Sequence, residues 1–89
     1  MMIKVRHILV EQEYEAKDII KKMSEGKSFE DLAMSFSKCP SSKRGGDLGE
    51  FGKGRMVQSF EEAAFALGIN EVSPPVRTQF GYHLIQRYA

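Results

Sequence analysis

Disulfides, membrane spans and a secretion signal are all missing from this sequence. Its 89 residues contain one cysteine, Cys39, so no internal disulfide forms, and a free thiol favours a reducing compartment. No apolar run approaches the roughly 18 residues that a membrane-spanning helix needs. The N-terminal residues carry charges inside a strand-like run and contain no separate apolar core or cleavage site, unlike a signal peptide. We therefore expect a soluble cytoplasmic protein that does not contact membranes.

A large excess of one charge is also lacking, as are internal repeats and linkers. The formal net charge is +1, which gives no general attraction to nucleic acid or to anionic surfaces. The hydrophobic share of 42% is nevertheless too high for a disordered chain. A chain of this length forms one domain, so we predict a single domain over residues 1–89 that acts as a monomer. A domain excised from a longer exported protein would have much the same composition, and the initial methionine argues only mildly against that alternative.

The first third of the chain has the residue pattern of one strand and two helices. Residues Ile3–Val10 are rich in β-branched and aliphatic side chains, which is typical of a short buried strand. Because side chains alternate along a strand, His7 shares one face with Val5 and Leu9. Helical spacing of apolar residues, with Gly26 as a stop and Ser28 as a cap, then predicts helices over Tyr14–Glu25 and Phe29–Phe36.

Glycine interrupts the middle of the chain and separates these helices from a third one. Residues 37–56 are predicted to be mostly loop, with Leu48–Phe51 as the best candidate for a short strand. Ser59 and Glu62 have the spacing of a capping box, which predicts a helix that ends near Gly68.

A proline pair at Pro74 and Pro75 precedes a predicted terminal β-hairpin. Its strands cover Val76–Thr78 and Tyr82–Tyr88, and His83 lies within the second of them. The complete order is β-α-α-β-α-β-β. This order predicts an α+β domain with a small, mainly antiparallel sheet.

Chemically distinctive side chains fall in three separate parts of this predicted fold. The glycine-rich segment and the helix after it supply large apolar residues, His7 and His83 lie in two different strands, and Cys39 lies in a polar loop. A single histidine in an apolar strand is more often a hydrogen-bonded core residue than a functional one. Phe60 also falls on the buried face of the third helix, so a structural contribution is expected from it. We expect Leu48, Met56 and Phe60 to form an apolar cup, a concave surface that could hold a small apolar group.

Three segments of the sequence resemble the parvulin family of peptidyl-prolyl cis/trans isomerases. They are RHILV at 6–10, SKCPSSKRGGDLGEFGKGRMVQSFEEAAFAL at 37–67 and PVRTQFGYHLIQ at 75–86, and they occur in the family's order. The likeness is greatest to the stand-alone, single-domain bacterial and archaeal type. It implies a parvulin-like (FKBP-like) fold, with a four-stranded antiparallel sheet, helices packed on it and the site on one face. It also implies isomerisation of X-Pro bonds in exposed or unfolded protein segments, without a cofactor or metal.

The resemblance assigns roles to ten residues of this sequence. The two histidines match the paired histidines of the family's central strands, and Cys39 matches a position that holds cysteine in some members and aspartate in others. The turn residues Gln79 and Phe80 carry less weight, because members vary there. The implied catalytic set is His7, Cys39, Thr78 and His83. The implied substrate-binding set is Leu9, Leu48, Met56, Phe60, Gln79 and Phe80.

The role of Cys39 has three interpretations: a weak hydrogen-bond donor, a partly ionised thiol that acts through its charge, or a nucleophile. Rotation about an amide breaks no bond, so no strong nucleophile is required. Aspartate at this position in relatives also disfavours covalent attack. We therefore favour an electrostatic role for Cys39, and a hydrogen-bonded role for the histidine pair with Thr78 attached.

Basic residues surround the same loop and leave a preference for acidic peptides open. They are usually a solvated surface, here interleaved with Asp47 and Glu50. Parvulins directed at phosphopeptides carry a basic cluster just after the first strand, where this chain has acidic residues and a glutamine, so phospho-Ser-Pro specificity is not expected. The basic residues are Lys38, Lys43, Arg44, Lys53 and Arg55. The residues after the first strand are Glu11, Gln12, Glu13 and Glu15.

Parts of this sequence are also compatible with functions other than an isomerase. A zinc site from His7, Cys39 and His83 has suitable ligand types but lacks the close sequence pairs of structural zinc sites. A cysteine protease requires an oxyanion hole and an orienting residue, and neither is identifiable. The main rival is a catalytically silent peptide-binding or chaperone module that uses the same apolar cup. A nucleic-acid-binding module that uses the basic loop is a weaker rival.

Overall fold

Four strands, three α-helices and one 3-10 helix follow one another in a computed structural model that describes residues 1–89. The 3-10 helix is the one element that differs from the prediction, because the sequence pattern predicts a loop there. The elements are β1 (Met2–Val10), α1 (Glu13–Ser24), α2 (Phe29–Phe36), the 3-10 helix (Pro40–Arg44), β2 (Asp47–Gly52), α3 (Gln58–Phe65), β3 (Val76–Thr78) and β4 (Gly81–Arg87).

The strands form one antiparallel sheet in the order β2-β1-β4-β3, which confirms the predicted α+β class. Strands β1 and β4 occupy its centre. In their register His7 lies opposite Ile85, and Leu9 lies opposite His83. Residues two positions apart on a strand point to the same face, so the two histidines are diagonal neighbours on one face of the sheet.

Both faces of the sheet are covered by helices, and each face has its own hydrophobic core. Helices α1 and α2 pack on one face against Ile8, Val10 and Leu84. Helix α3 packs on the opposite face through Phe60 and Ala64. The histidines belong to this second face, where the core also contains Ile3, Val5, Phe51 and Ile85.

The helix ends confirm one predicted cap and contradict another. Ser28 caps α2 as predicted, because its Oγ accepts a hydrogen bond from the Asp31 backbone N–H at 3.1 Å. The capping box at Ser59 is wrong, since α3 begins earlier and Val57 occupies the N-cap. The Ser59 hydroxyl lies inside the first turn and donates to the carbonyl of Arg77 at 3.3 Å. The Ser59 hydroxyl therefore forms a tertiary hydrogen bond with β3 instead of the helix cap that the local pattern predicts.

Gly46 holds the loop that contains Cys39 close to β1. The His7 backbone N–H donates to the Gly46 carbonyl at 2.9 Å, and the Gly46 N–H donates to the Ser41 carbonyl at 2.9 Å. Its φ of +85° lies in the left-handed region, and a Cβ at this position would collide with the His7 carbonyl. Only glycine permits this close approach between loop and strand.

The helices are all short, and none has both the length and the apolar composition required to cross a membrane.

Candidate functional site

The two histidines form a hydrogen-bonded pair on the α3 face of the sheet. Their Nδ1 atoms are 3.1 Å apart, and their rings stack with centroids 5.2 Å apart and planes inclined by 20°. Each side chain retains only 5% of its exposure. Phe60 of α3 presents an edge-to-face contact to both rings, at centroid distances of 5.7 Å and 5.2 Å. The pair is therefore fixed by packing as well as by its hydrogen bond.

Thr78 extends this pair into a chain of three side chains. Its Oγ1 lies 2.7 Å from Nε2 of His83 and accepts a hydrogen bond from the Phe80 backbone N–H at 3.2 Å. Two proton arrangements satisfy the chain, because a neutral imidazole has one donor and one acceptor nitrogen. In the first, Thr78 donates to His83, and His83 donates to His7. In the second, His7 donates to His83, and His83 donates to Thr78. Nε2 of His7 has no partner in the protein; it is a donor in the first arrangement and an acceptor in the second.

Both imidazoles are held in the neutral form at physiological pH. Burial, and to a lesser extent the neighbouring His83, lowers the pKa of His7 from its ordinary 6.5 to about 4. Burial also lowers the pKa of His83 below its ordinary value. In a hydrogen bond between the two Nδ1 atoms one nitrogen must accept, so at least one ring must be neutral. The pair is thus a polar but uncharged surface.

A mainly apolar cavity of about 480 Å³ opens beside the histidines. Leu48, Met56 and Phe60 line it together, as predicted, and both Leu48 and Met56 are only partly buried. Leu9 and the exposed Phe80 also line it. Phe60 is the residue that joins the cavity to the core, because it contacts both histidines and Phe51.

Cys39 lines the same cavity from the loop that follows α2. It is half-buried and is the N-cap residue of the 3-10 helix. Its position is set by backbone hydrogen bonds, since the Lys38 N–H donates to the Leu9 carbonyl at 2.8 Å and the Cys39 N–H donates to Ser37 Oγ at 3.4 Å. No three His, Cys, Asp or Glu side chains in the structure are grouped closely enough to hold a metal ion.

Eight of the ten residues singled out from the sequence line this cavity. Thr78 does not line it but contacts His83 directly. Gln79 is exposed and lies on a neighbouring surface with Glu11 and Gln12, outside the cavity, and its substrate-binding role stays a prediction. Four further lining residues were not singled out, although two of them belong to the basic group noted in the sequence: Lys38, Pro40, Arg55 and Val57.

The arrangement can grip a small aliphatic ring and present a fixed polar surface to the group beside it. Leu48 of β2, Met56 of the segment before α3 and Phe60 of α3 supply apolar contact, and the flexible methionine side chain can adapt its shape to the bound group. The histidine pair supplies hydrogen-bonding atoms without a formal charge. Phe80 is exposed and Met56 is only partly buried, so a peptide can reach the cavity from solvent.

Comparison with known proteins gives a consistent result across the chain. The family model for the PPIC-type PPIase domain matches residues 1–88. Foldase protein PrsA 1 of Bacillus cereus is 52% identical over 85 residues, which cover 94% of this chain and 30% of that protein. The crystal structure of PrsA from Bacillus subtilis has a TM-score of 0.97 at 45% identity and covers 99% of this chain and 35% of that chain. The solution structure of NmPin, the parvulin of Nitrosopumilus maritimus, has a TM-score of 0.90 at 46% identity and covers 99% and 96%.

The extent of these matches differs between the relatives. This chain spans a little under a third of the length of the Bacillus foldases that it matches, but nearly all of NmPin. The shared part is the same in each case, namely the four-stranded sheet with its helices. The chain therefore belongs to the PPIC-type PPIase domain family, the parvulins among the peptidyl-prolyl cis/trans isomerases.

Proposed function

We propose that this domain is a peptidyl-prolyl cis/trans isomerase that accelerates rotation about X-Pro bonds in exposed or unfolded protein segments and so assists folding. The observation that carries the proposal is the apolar cavity of about 480 Å³ with a neutral histidine pair at its edge. Membership of the PPIase family and the foldase name of the Bacillus relatives support it.

The reaction sets clear physical demands on such a site. Resonance keeps the amide planar and produces a rotational barrier of about 18–20 kcal/mol, so exchange without a catalyst takes tens to hundreds of seconds. No bond breaks and no proton is transferred in net. A catalyst needs only to bind the twisted amide more tightly than either planar form.

The residues of the site meet these demands by holding one side of the bond while the other side turns. Leu48, Met56 and Phe60 hold the pyrrolidine ring, and the cavity shields the amide from water, which in bulk stabilises the polar planar form. Cys39 and His7 face the same cavity and interact with the turning carbonyl through hydrogen bonds and electrostatics. Thr78 and His83 act through His7 by fixing its ring and its proton.

A protease-coupled assay with X-Pro peptides tests the activity. We expect acceleration of cis-to-trans exchange above the uncatalysed rate, and weaker binding in an amide-shift titration when Met56 is changed to alanine. A peptide that binds in the cavity without any acceleration of exchange would show the rival, a catalytically silent binding module. An absence of both binding and acceleration would contradict the assignment of the site.

We further propose a monomer that acts in the cytoplasm without nucleic acid or a cofactor. The free thiol of Cys39 supports a reducing compartment, and the net charge of +1 supports the lack of nucleic-acid binding. Sedimentation tests the monomer, a salt series with duplex and single-stranded oligonucleotides tests nucleic-acid binding, and fractionation of the producing cell tests the location. Recovery of the native protein outside the cytoplasm would overturn the last point.

A further inference from the structure

Two cationic side chains, from segments that are far apart in the sequence, line the proposed proline cavity. Lys38 precedes Cys39 in the loop after α2, and Arg55 precedes Met56 in the segment before α3. Both are exposed, and no aspartate or glutamate lines the cavity with them. The rim of an otherwise apolar cavity therefore carries positive charge only.

Neither cation is neutralised within the protein. The ion pairs of the structure join Arg6 to Glu30 and Lys22 to Asp18, both away from the cavity. The Glu61 carboxylate, which lies close to this segment along the chain, is bound instead to the Gly54 backbone N–H at 2.5 Å. Lys38 and Arg55 are thus available to an anionic group on a bound peptide.

We infer that Lys38 and Arg55 select peptides with glutamate or aspartate immediately before the proline. This inference rests on the proposed isomerase function, because it assumes that the proline ring enters the cavity. The residue before the proline is bonded to the ring nitrogen, so its side chain lies at the edge of the cavity that holds the ring. Lys38 and Arg55 line this cavity.

The cavity differs in charge from the surface next to it. On the far side of Phe80 that surface carries both Glu11 and Arg77, so it has charges of both signs, whereas the charged residues of the cavity are only positive. A single carboxylate near the proline fits this distribution. Exposed charge pairs contribute little individually, and a factor of about 2 to 5 in affinity for each cation is the expected range.

The test compares succinyl-Ala-Xaa-Pro-Phe para-nitroanilides in which Xaa is glutamate, glutamine or lysine. We expect kcat/KM for the glutamate peptide to exceed that for the isosteric glutamine peptide by about 3- to 10-fold at low ionic strength. The ratio should fall toward 1 when the ionic strength rises from about 0.01 M to 1 M, since the screening length shortens from about 30 Å to 3 Å. The double variant Lys38→Glu/Arg55→Glu should prefer the lysine peptide.

A matched control separates a local effect from net charge. Lys38→Glu alone should reduce the preference for glutamate. Lys43→Glu makes the same charge change as Lys38→Glu and lies nearby in the 3-10 helix, but Lys43 does not line the cavity. This variant should keep the preference for glutamate, and an equal loss in Lys43→Glu would overturn the inference. Acceleration of all peptides with a glutamate-to-glutamine ratio of 1 would overturn the inference alone. No acceleration of any peptide would overturn the proposed isomerase function as well.

Discussion

Mild acidification should destabilise this domain through its buried histidine pair. His7 has a pKa of about 4 in the folded protein, against 6.5 in an unfolded chain. Between these values the unfolded chain binds the proton more readily than the folded one. The contribution of His7 to stability is therefore present above pH 6.5 and is lost as the pH falls toward 4.

The size of the loss follows from the same two values. Each pKa unit corresponds to 1.36 kcal/mol, so a shift from 6.5 to about 4 has a limiting value of about 3 kcal/mol. Between pH 7 and pH 5, His7 alone should lower the free energy of unfolding by about 2 kcal/mol. Burial lowers the pKa of His83 too, so its contribution has the same sign. This interval lies above the ordinary pKa values of aspartate and glutamate, which limits their share.

Two measurements check this prediction. Urea unfolding at pH 7, 6 and 5 gives the free energy of unfolding, and imidazole NMR signals give the titration of each ring. The chain has only two histidines, which keeps the assignment simple. In His7→Asn, whose side-chain amide retains hydrogen-bonding atoms near the position of Nδ1, the loss between pH 7 and pH 5 should shrink by about 2 kcal/mol.

A His7 ring that titrates near 6.5 in the folded protein would refute the reasoning. So would a His7→Asn variant whose stability falls with pH as steeply as that of the wild type. The first result would mean that the pair accepts a proton without opening. The second would mean that groups other than His7 cause the pH dependence of stability.

Five further substitutions test the packing of the fold and the chemistry of the site. Met56→Ala should weaken binding of an X-Pro peptide about 5-fold with little loss of stability. Phe60→Ala should weaken binding as well and should lower the free energy of unfolding by about 3–5 kcal/mol. Calorimetric titration measures the binding, and urea unfolding measures the stability. Cys39→Asp should retain measurable isomerase activity if the thiol acts by electrostatics, and an inactive but folded variant would support covalent attack. Gly46→Ala should destabilise the fold by at least about 2 kcal/mol, because its Cβ would collide with the His7 carbonyl. Gly54 has a similar φ but open space at its Cβ position, so Gly54→Ala should cost only about 1 kcal/mol. Thermal unfolding of both variants distinguishes the two effects.

Local pattern was sufficient for most of the secondary structure. The second helix was predicted at its observed bounds, because Ser28 caps it through a contact only three residues away. The third helix was misjudged at its start. There the Ser59 hydroxyl is bound to the carbonyl of Arg77, a contact across 18 residues that no local pattern records. The 3-10 helix was missed for a similar reason, since the closely approaching strand β1 holds its loop in place through Gly46.

The sequence by itself determined which residue types the site contains and which strand faces they occupy. Alternation within β1 placed His7 on one face with Val5 and Leu9, and the family likeness paired it with His83. Only the tertiary structure decided that their Nδ1 atoms meet at 3.1 Å, and that Lys38 and Arg55 line the rim of the same cavity. The physical reason is that strand periodicity is a local property, whereas register, burial and the meeting of distant loops depend on the packing of the whole chain.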